Sequence, residues 1–148
     1  MNYPSLLLLS IAVGVMVVIQ GGVNARLGIL LNNSLLATST ALVMSASFTL
    51  IAVFVSVRHF PSINQLKTVP SYMWFTGGIL SFLAVSLFYY IIPRLGISTA
   101  VTFGLTGQLI FAAIASHFGW FGMPVELISL KKIVGMIIMV AGVVLIKN

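Results

Sequence analysis

The sequence is almost free of charged side chains. Charged residues make up 5% of the 148 positions and Glu126 is the only acidic residue, whereas apolar residues make up 60%. A water-soluble domain usually has about a quarter of its residues charged, so this composition excludes a soluble globular protein. The solvent that fits it is lipid, and we expect a multi-pass protein of the cell (inner or plasma) membrane, with the lipid bilayer as its surroundings.

Chemically reactive residue types are equally scarce. The sequence has no cysteine, one acidic residue and two widely separated histidines, so it offers no disulfide, thiolate metal site, carboxylate pair or nucleophile triad. We therefore expect no enzyme activity, no metal and no cofactor. The net charge of +6 comes from seven dispersed Lys and Arg residues, without the basic stripe of a nucleic-acid-binding protein, so we expect no nucleic-acid partner.

Long apolar runs fill most of the chain. A helix needs about 20 mostly apolar residues to cross about 30 Å of hydrocarbon. Five runs approach that length without a charge in their interior, and we predict spans at residues 5–23, 35–57, 71–92, 97–116 and 131–146. The runs lack the alternating pattern of a membrane β-barrel. The sequence therefore predicts an all-α integral membrane protein, a bundle of five transmembrane helices that forms a single domain over residues 1–148.

Polar residues and glycines cluster at the end of the first run. Gln20, Gly21, Gly22 and Asn24 follow the apolar stretch, and we expect the helix either to stop at the glycines or to loosen there and free backbone groups. Interruptions of the second kind line transporter sites, so Gln20 and Asn24 are candidate substrate-binding residues.

A polar group also interrupts the fourth run. Gln108 lies near its centre, where an unsatisfied amide costs a few kcal/mol in an apolar medium. Either an interhelical hydrogen bond or a solute in a watery cavity can satisfy the amide. Thr106 and Gly107 place a hydroxyl and exposed backbone beside it, so we include all three residues among the candidate substrate-binding positions.

Two further candidates lie near span ends. Tyr89, near the end of the third run, fits either a substrate site or the aromatic belt of the membrane interface. His117 follows the fourth run and can bind a proton or a substrate anion, or serve a structural role. Glu126 is expected in the loop before the fifth run, so proton coupling through a membrane-embedded acid has no candidate.

Positive charge is nearly balanced across the membrane. With the N-terminus inside, Arg58, Lys67, Lys131 and Lys132 lie on the inner face, and Arg26, Arg94 and Lys147 on the outer face. A difference of one gives little orientation bias. The chain could therefore insert both ways and pair with an inverted copy of itself, which we call dual topology, or adopt one weakly biased orientation. Inverted repeats are a common basis of alternating access.

Three segments resemble one known family. The run GQLIFAAIASHFGWFGMP, from Gly107 to Pro124, is similar to its GQL, HFG and FG pattern, and QGGVNARLG, from Gln20 to Gly28, resembles the end of its first span. The KKIVG stretch that begins at Lys131 looks like its last span. Together these segments resemble the YdcZ-like family, five-span members of the drug/metabolite transporter (DMT) superfamily, over essentially the whole chain.

The resemblance implies a transporter of a small metabolite or drug-like solute. It implies half of a ten-helix inverted-repeat architecture that acts by alternating access as an antiparallel homodimer or beside a homologous subunit. The positions that match the pattern are Gln20, Asn24, Gly107, Gln108, His117 and Gly119. Ser116 stands where relatives often have an aspartate, so coupling through that acid is not expected. A non-transporting membrane subunit or assembly factor stays open as the alternative.

Overall fold

All of the regular secondary structure in the described part of the chain is helical. The computed structural model describes residues 2–122 and 124–147, and Met123, inside the run that resembles the family, lies outside them. The α-helices in those ranges are α1 (Tyr3–Leu30), α2 (Ser34–Ser56), α3 (Ile63–Thr68), α4 (Met73–Leu95), α5 (Ile97–His117) and α6 (Leu130–Lys147). The chain forms two compact units, and the first ends at Arg94 and the second begins at Leu95.

Among the described residues, four helices are long and apolar enough to cross a membrane. These are α1, α2, α4 and α5, which correspond to the first four predicted runs. The fifth run is also a helix, α6, of 18 residues. It is not among the four, because Lys131, Lys132 and Lys147 all lie within those 18 residues. The prediction of an all-α membrane protein is therefore confirmed, while a fifth span and a single domain stay predictions.

Helix α1 continues beyond the predicted end of the first span. We expected it to stop or loosen at Gly21 and Gly22, but the helix is continuous to Leu30. Gly21 is buried, and a Cβ built there would lie 3.1 Å from the ring of Phe88 in α4. The expectation was wrong because this glycine makes room for a neighbouring aromatic side chain instead of ending the helix.

A tight turn joins α1 to α2. Asn32 has a φ of 51°, and the Asn33 N–H donates to the Gly28 carbonyl at 2.9 Å, as in the Schellman motif that ends many helices. The Asn33 side chain then caps α2 by accepting a hydrogen bond from the Leu35 N–H at 2.9 Å. A Cβ at Gly28 would lie 3.3 Å from a backbone carbon of α2, so a larger residue there would require the turn to shift by a few tenths of an ångström.

The predicted loop between the second and third spans contains the short helix α3. The Ser62 N–H donates to Gln65 Oε1 at 2.8 Å, and the Gln65 N–H donates to Ser62 Oγ at 3.4 Å. This reciprocal pair is a capping box, whose spacing of Ser and Gln is readable in the sequence. The helix was missed because the segment lies between two predicted spans and the flanking Pro61 and Pro70 are typical of a loop.

In the second unit α5 packs against α6. The connection begins with a short turn at Trp120–Gly122, with left-handed backbone at Gly119 (φ 62°) just before it and at Phe121 (φ 60°) inside it. It then returns to the end of α5, where the Glu126 N–H donates to the Ser116 carbonyl at 3.0 Å. The returning segment is therefore tied to α5 before α6 begins.

The outer surfaces of both units are strongly apolar. Phe54 is 77% exposed, Phe75 68% and Leu145 75%. Apolar surface of this extent is stable in lipid or against another subunit, and not in water. The folded chain therefore has the apolar surface that its composition predicts. Its few buried polar side chains are the positions to examine for a functional site.

Candidate functional site

A hydrogen bond between α1 and α4 forms the centre of the candidate site. Asn24 Nδ2 donates to Tyr89 Oη at 2.9 Å, and Tyr89 is only 2% exposed. Both residues were candidates from the sequence, and the structure brings them together. A buried ring does not fit the lipid-facing aromatic belt that was the alternative for Tyr89. Side-chain hydrogen bonds between membrane helices contribute on average about 0.6 kcal/mol and at most about 1.7 kcal/mol.

An open groove lies in the same unit. It has a volume of about 840 Å³ and is lined by residues of the α1–α2 turn, drawn from positions 28–35, and of α4, drawn from positions 86–94. This volume is in the range of small-molecule sites, roughly 300–1,000 Å³. Tyr89 lines the groove, so the hydrogen bond to Asn24 fixes one of its walls.

Ser86 lines the groove with an unpaired hydroxyl. The residue is 9% exposed, and its Oγ has no hydrogen-bond partner among the described residues. Serines in membrane helices often donate to a carbonyl of their own helix, as Ser47 does to Val43 at 2.9 Å. A buried hydroxyl without a partner costs roughly 1–3 kcal/mol, so Ser86 is a position where a ligand can gain a hydrogen bond.

Arg94 supplies the positive charge of the groove. Its Nη1 donates to the Tyr90 carbonyl at 2.6 Å, and the guanidinium carbon lies 3.4 Å from the centre of the Tyr90 ring. These contacts hold the guanidinium in place. Several of its N–H donors remain for a ligand, because a guanidinium carries more donors than the single bond uses.

The one carboxylate of the sequence is engaged in the second unit. Lys132 Nζ lies 2.8 Å from Glu126 Oε2, and the hydrogen bond and charge of Lys132 lower the pKa of the Glu126 carboxyl. As predicted, Glu126 lies in the connection before α6 and outside the four candidate spans.

The remaining amide candidates are exposed on their own helices. Gln20 precedes Asn24 by about one turn of α1, and its side chain is exposed. Gln108 is exposed on α5, as is Gly107, where an added Cβ would meet nothing within 4 Å. Thr106 Oγ1 donates to the Thr102 carbonyl at 2.9 Å, so its proton is used inside α5. Gln108 is thus accessible to a solute or a second subunit.

His117 forms a hydrogen bond with the connection between α5 and α6. Its Nδ1 accepts a hydrogen bond from the Ile128 N–H at 3.3 Å, and its ring lies edge-on to that of Phe118 at 5.0 Å. Gly119, the other pattern-matching position here, has a φ of 62°, which favours glycine. These contacts give the HFG segment a structural role in the connection after α5.

Sequence reasoning missed Ser86 and Arg94 as site residues. Ser86 is one of many serines in apolar runs, and nothing local distinguishes it from the others. Arg94 was counted as a positive charge of the outer face. The signal that could have found it is the absence of any acid from the first 94 residues, which leaves every cation there without a carboxylate.

The comparisons with known proteins identify the family. The family model DMT_YdcZ, described as "Putative inner membrane exporter, YdcZ", matches residues 5–145. No curated protein and no solved structure matches the chain. The family match extends from the first turn of α1 into the last turn of α6, and so includes the groove, the Asn24–Tyr89 pair and the HFG segment. The chain therefore belongs to the DMT_YdcZ family and is a multi-pass protein of the inner membrane.

Proposed function

We propose that the protein exports a small solute across the inner membrane and that the groove beside Asn24 and Tyr89 is part of its path. The observation that carries the proposal is the hydrogen bond between these two side chains at 2.9 Å, next to a groove of about 840 Å³, in a chain of an exporter family. Apolar helices that only pack together need neither a buried side-chain hydrogen bond nor a groove. Gln20, Thr106, Gly107, Gln108 and His117 stay predicted contacts of the solute.

The transporting form that we propose is an antiparallel pair of subunits that works by alternating access. Three features support it: the nearly balanced charge, the exposed apolar surfaces and the exposed amide of Gln108. A cysteine at Asn64, exposed in α3, tests the orientation because the native sequence has no cysteine. Impermeant label applied from one side should react with a substantial fraction of the molecules. Reaction of nearly all or nearly none would contradict dual topology.

Solute efflux from reconstituted vesicles tests the function itself. The purified chain is placed in vesicles loaded with a defined mixture of organic acids, amines and sugars, and the released solutes are measured by mass spectrometry. We expect at least one solute to leave faster than from protein-free vesicles. Asn24→Leu should slow this efflux, whereas Ser10→Ala, an exposed change on the same helix, should not.

The same measurement separates transport from the alternative role. A non-transporting subunit or assembly factor would release no solute faster than protein-free vesicles, although the chain is folded and inserted. That result would overturn the proposal. An efflux that Asn24→Leu and Ser10→Ala leave equally fast would keep the transporter but remove Asn24 from the solute path.

A further inference from the structure

The first unit carries cations that none of its own side chains can neutralise. Residues 1–94 include Arg26, Arg58, Lys67 and Arg94 but no Asp or Glu. Among these cations, Arg94 lines the groove. A guanidinium at the edge of an apolar phase is favoured by a negative partner, and here that partner must come from outside the unit.

The guanidinium is held in a position that suits an oxyanion. Its hydrogen bond to the Tyr90 carbonyl at 2.6 Å folds it back along α4, in the direction of Ser86, and the Tyr90 ring covers one face at 3.4 Å. The planar fork of donors that remains matches the two oxygens of a carboxylate or phosphate. The N-terminus of α2 meets the same groove at Ser34 and adds positive potential.

Ser86 provides an independent indication of a ligand. Its hydroxyl has no hydrogen-bond partner in the part of the chain that the structure describes, the residue is 9% exposed, and it lines the same groove as Arg94. The two residues are two turns apart, about 12 Å along the axis of α4. Leu35 and Leu87 add apolar lining around them. This arrangement fits a molecule with an anionic end at Arg94 and an uncharged body, carrying a hydrogen-bonding group, that extends toward Ser86.

We propose that the groove binds an organic oxyanion, a carboxylate or a phosphate group, through an ion pair with Arg94 and a hydrogen bond from Ser86. The inference rests on the proposed function, because it assigns the chemical class of the exported solute. The same chemistry is present in the headgroups of anionic lipids, so the test includes a lipid arm.

Binding is measured on the purified full-length chain in neutral detergent at constant ionic strength. The thermal unfolding midpoint is followed against inorganic phosphate, benzoate, benzylamine and benzyl alcohol, of which the last three are similar in size and differ in charge. A ligand that binds only the folded chain raises the midpoint in a saturable way. We expect this response to benzoate and phosphate, and none to benzylamine or benzyl alcohol.

Matched variants tie the response to the groove. Arg94→Gln should weaken benzoate binding by about tenfold or more, and Arg94→Lys, which keeps the charge without the planar fork, should weaken it less. Arg26→Gln removes an exposed cation of the same unit outside the groove lining and should leave binding unchanged. An equal loss in Arg26→Gln and Arg94→Gln would overturn the proposal, because it would show unspecific attraction.

Ser86→Ala has two expected effects of opposite direction. It should raise the midpoint of the ligand-free chain, because it removes a buried hydroxyl that has no partner among the described residues. It should weaken the binding of 4-hydroxybenzoate, which carries a hydroxyl on its uncharged end, by about two- to tenfold, and it should leave the binding of benzoate, which lacks that group, unchanged. A serine with a purely structural bond would instead lower the ligand-free midpoint and leave the affinity unchanged, and that outcome would overturn its role.

The lipid arm repeats the measurement in nanodiscs of phosphatidylcholine with and without phosphatidylglycerol. Stabilisation by phosphatidylglycerol that requires Arg94, with no response to benzoate or phosphate, would assign the oxyanion to lipid and overturn the solute assignment. If neither the soluble oxyanions nor phosphatidylglycerol raises the unfolding midpoint, the proposed site is refuted. Vesicle efflux without oxyanion binding would refute this inference alone, whereas oxyanion binding without efflux of any solute would refute the proposed function alone.

Discussion

The hydrogen bond between Asn24 and Tyr89 offers a direct test of whether the polar contact in the first unit serves stability or transport. Tyr89→Phe removes one oxygen atom and keeps the ring, which is 2% exposed, so no cavity is expected. Asn24→Leu removes the other partner. Together with the double variant, these changes form a cycle that isolates the pairwise free energy.

The expected cost in stability is small. Bonds of this kind contribute on average about 0.6 kcal/mol and at most about 1.7 kcal/mol in helical membrane proteins. Folded proteins generally have a free energy of unfolding of about 5–15 kcal/mol. Tyr89→Phe should therefore stay folded, and unfolding cannot explain a loss of transport in that variant.

Two measurements on the same preparations give the answer. Unfolding in mixed micelles of increasing denaturing detergent should give a coupling free energy of about 0.6–1.7 kcal/mol. Vesicle efflux should fall by about two- to tenfold in Tyr89→Phe, because the lost hydrogen bond no longer holds Tyr89, which lines the proposed solute path, in place. A coupling of zero would refute the bond, and unchanged efflux would refute its role in transport.

Three further predictions concern other positions. Gly28→Ala should lower the free energy of unfolding by about 1–3 kcal/mol relative to Gly14→Ala, because an added Cβ meets backbone at 3.3 Å at Gly28 and nothing within 4 Å at Gly14; equal effects in denaturation experiments would contradict the close packing. His117→Ala should speed hydrogen exchange of the Ile128 amide, which donates to the imidazole at 3.3 Å; unchanged exchange would show that the connection does not need this bond. Gln108→Leu should fold and insert normally but reduce vesicle efflux, and a variant that transports as well as the parent would remove Gln108 from the site.

The sequence predicted helix positions well where polar residues coincide with helix ends. The second run, 35–57, corresponds to Ser34–Ser56, and the fourth run, 97–116, corresponds to Ile97–His117. The prediction failed at α1, because Gly21 lies against Phe88 of a helix more than 60 residues later in the chain. A local pattern cannot distinguish a glycine that ends a helix from one that admits a distant ring.

The candidate site was predictable only in part for the same reason. Asn24 and Tyr89 were each selected by residue type and position, yet the contact between them joins residues 65 apart and depends on how α1 and α4 pack. Ser86 acquires significance only when its own helix fails to supply a hydrogen-bond partner. Such an absence is a property of the folded structure and has no counterpart in the letters of the sequence.

The length of α1 bears on how the groove can serve transport. Its 28 residues span about 42 Å, against about 30 Å of hydrocarbon, so the helix either tilts in the bilayer or extends into the interface. The polar turn at Asn32 and Asn33 and the cation Arg94 line the same groove, and because polar and charged residues are favoured at helix ends outside the hydrocarbon, we expect the groove to open near one face of the membrane. A single orientation thus presents the groove to one side only. An inverted copy would present the same groove to the opposite side, and the proposed antiparallel pair would then have the two entrances that alternating access requires.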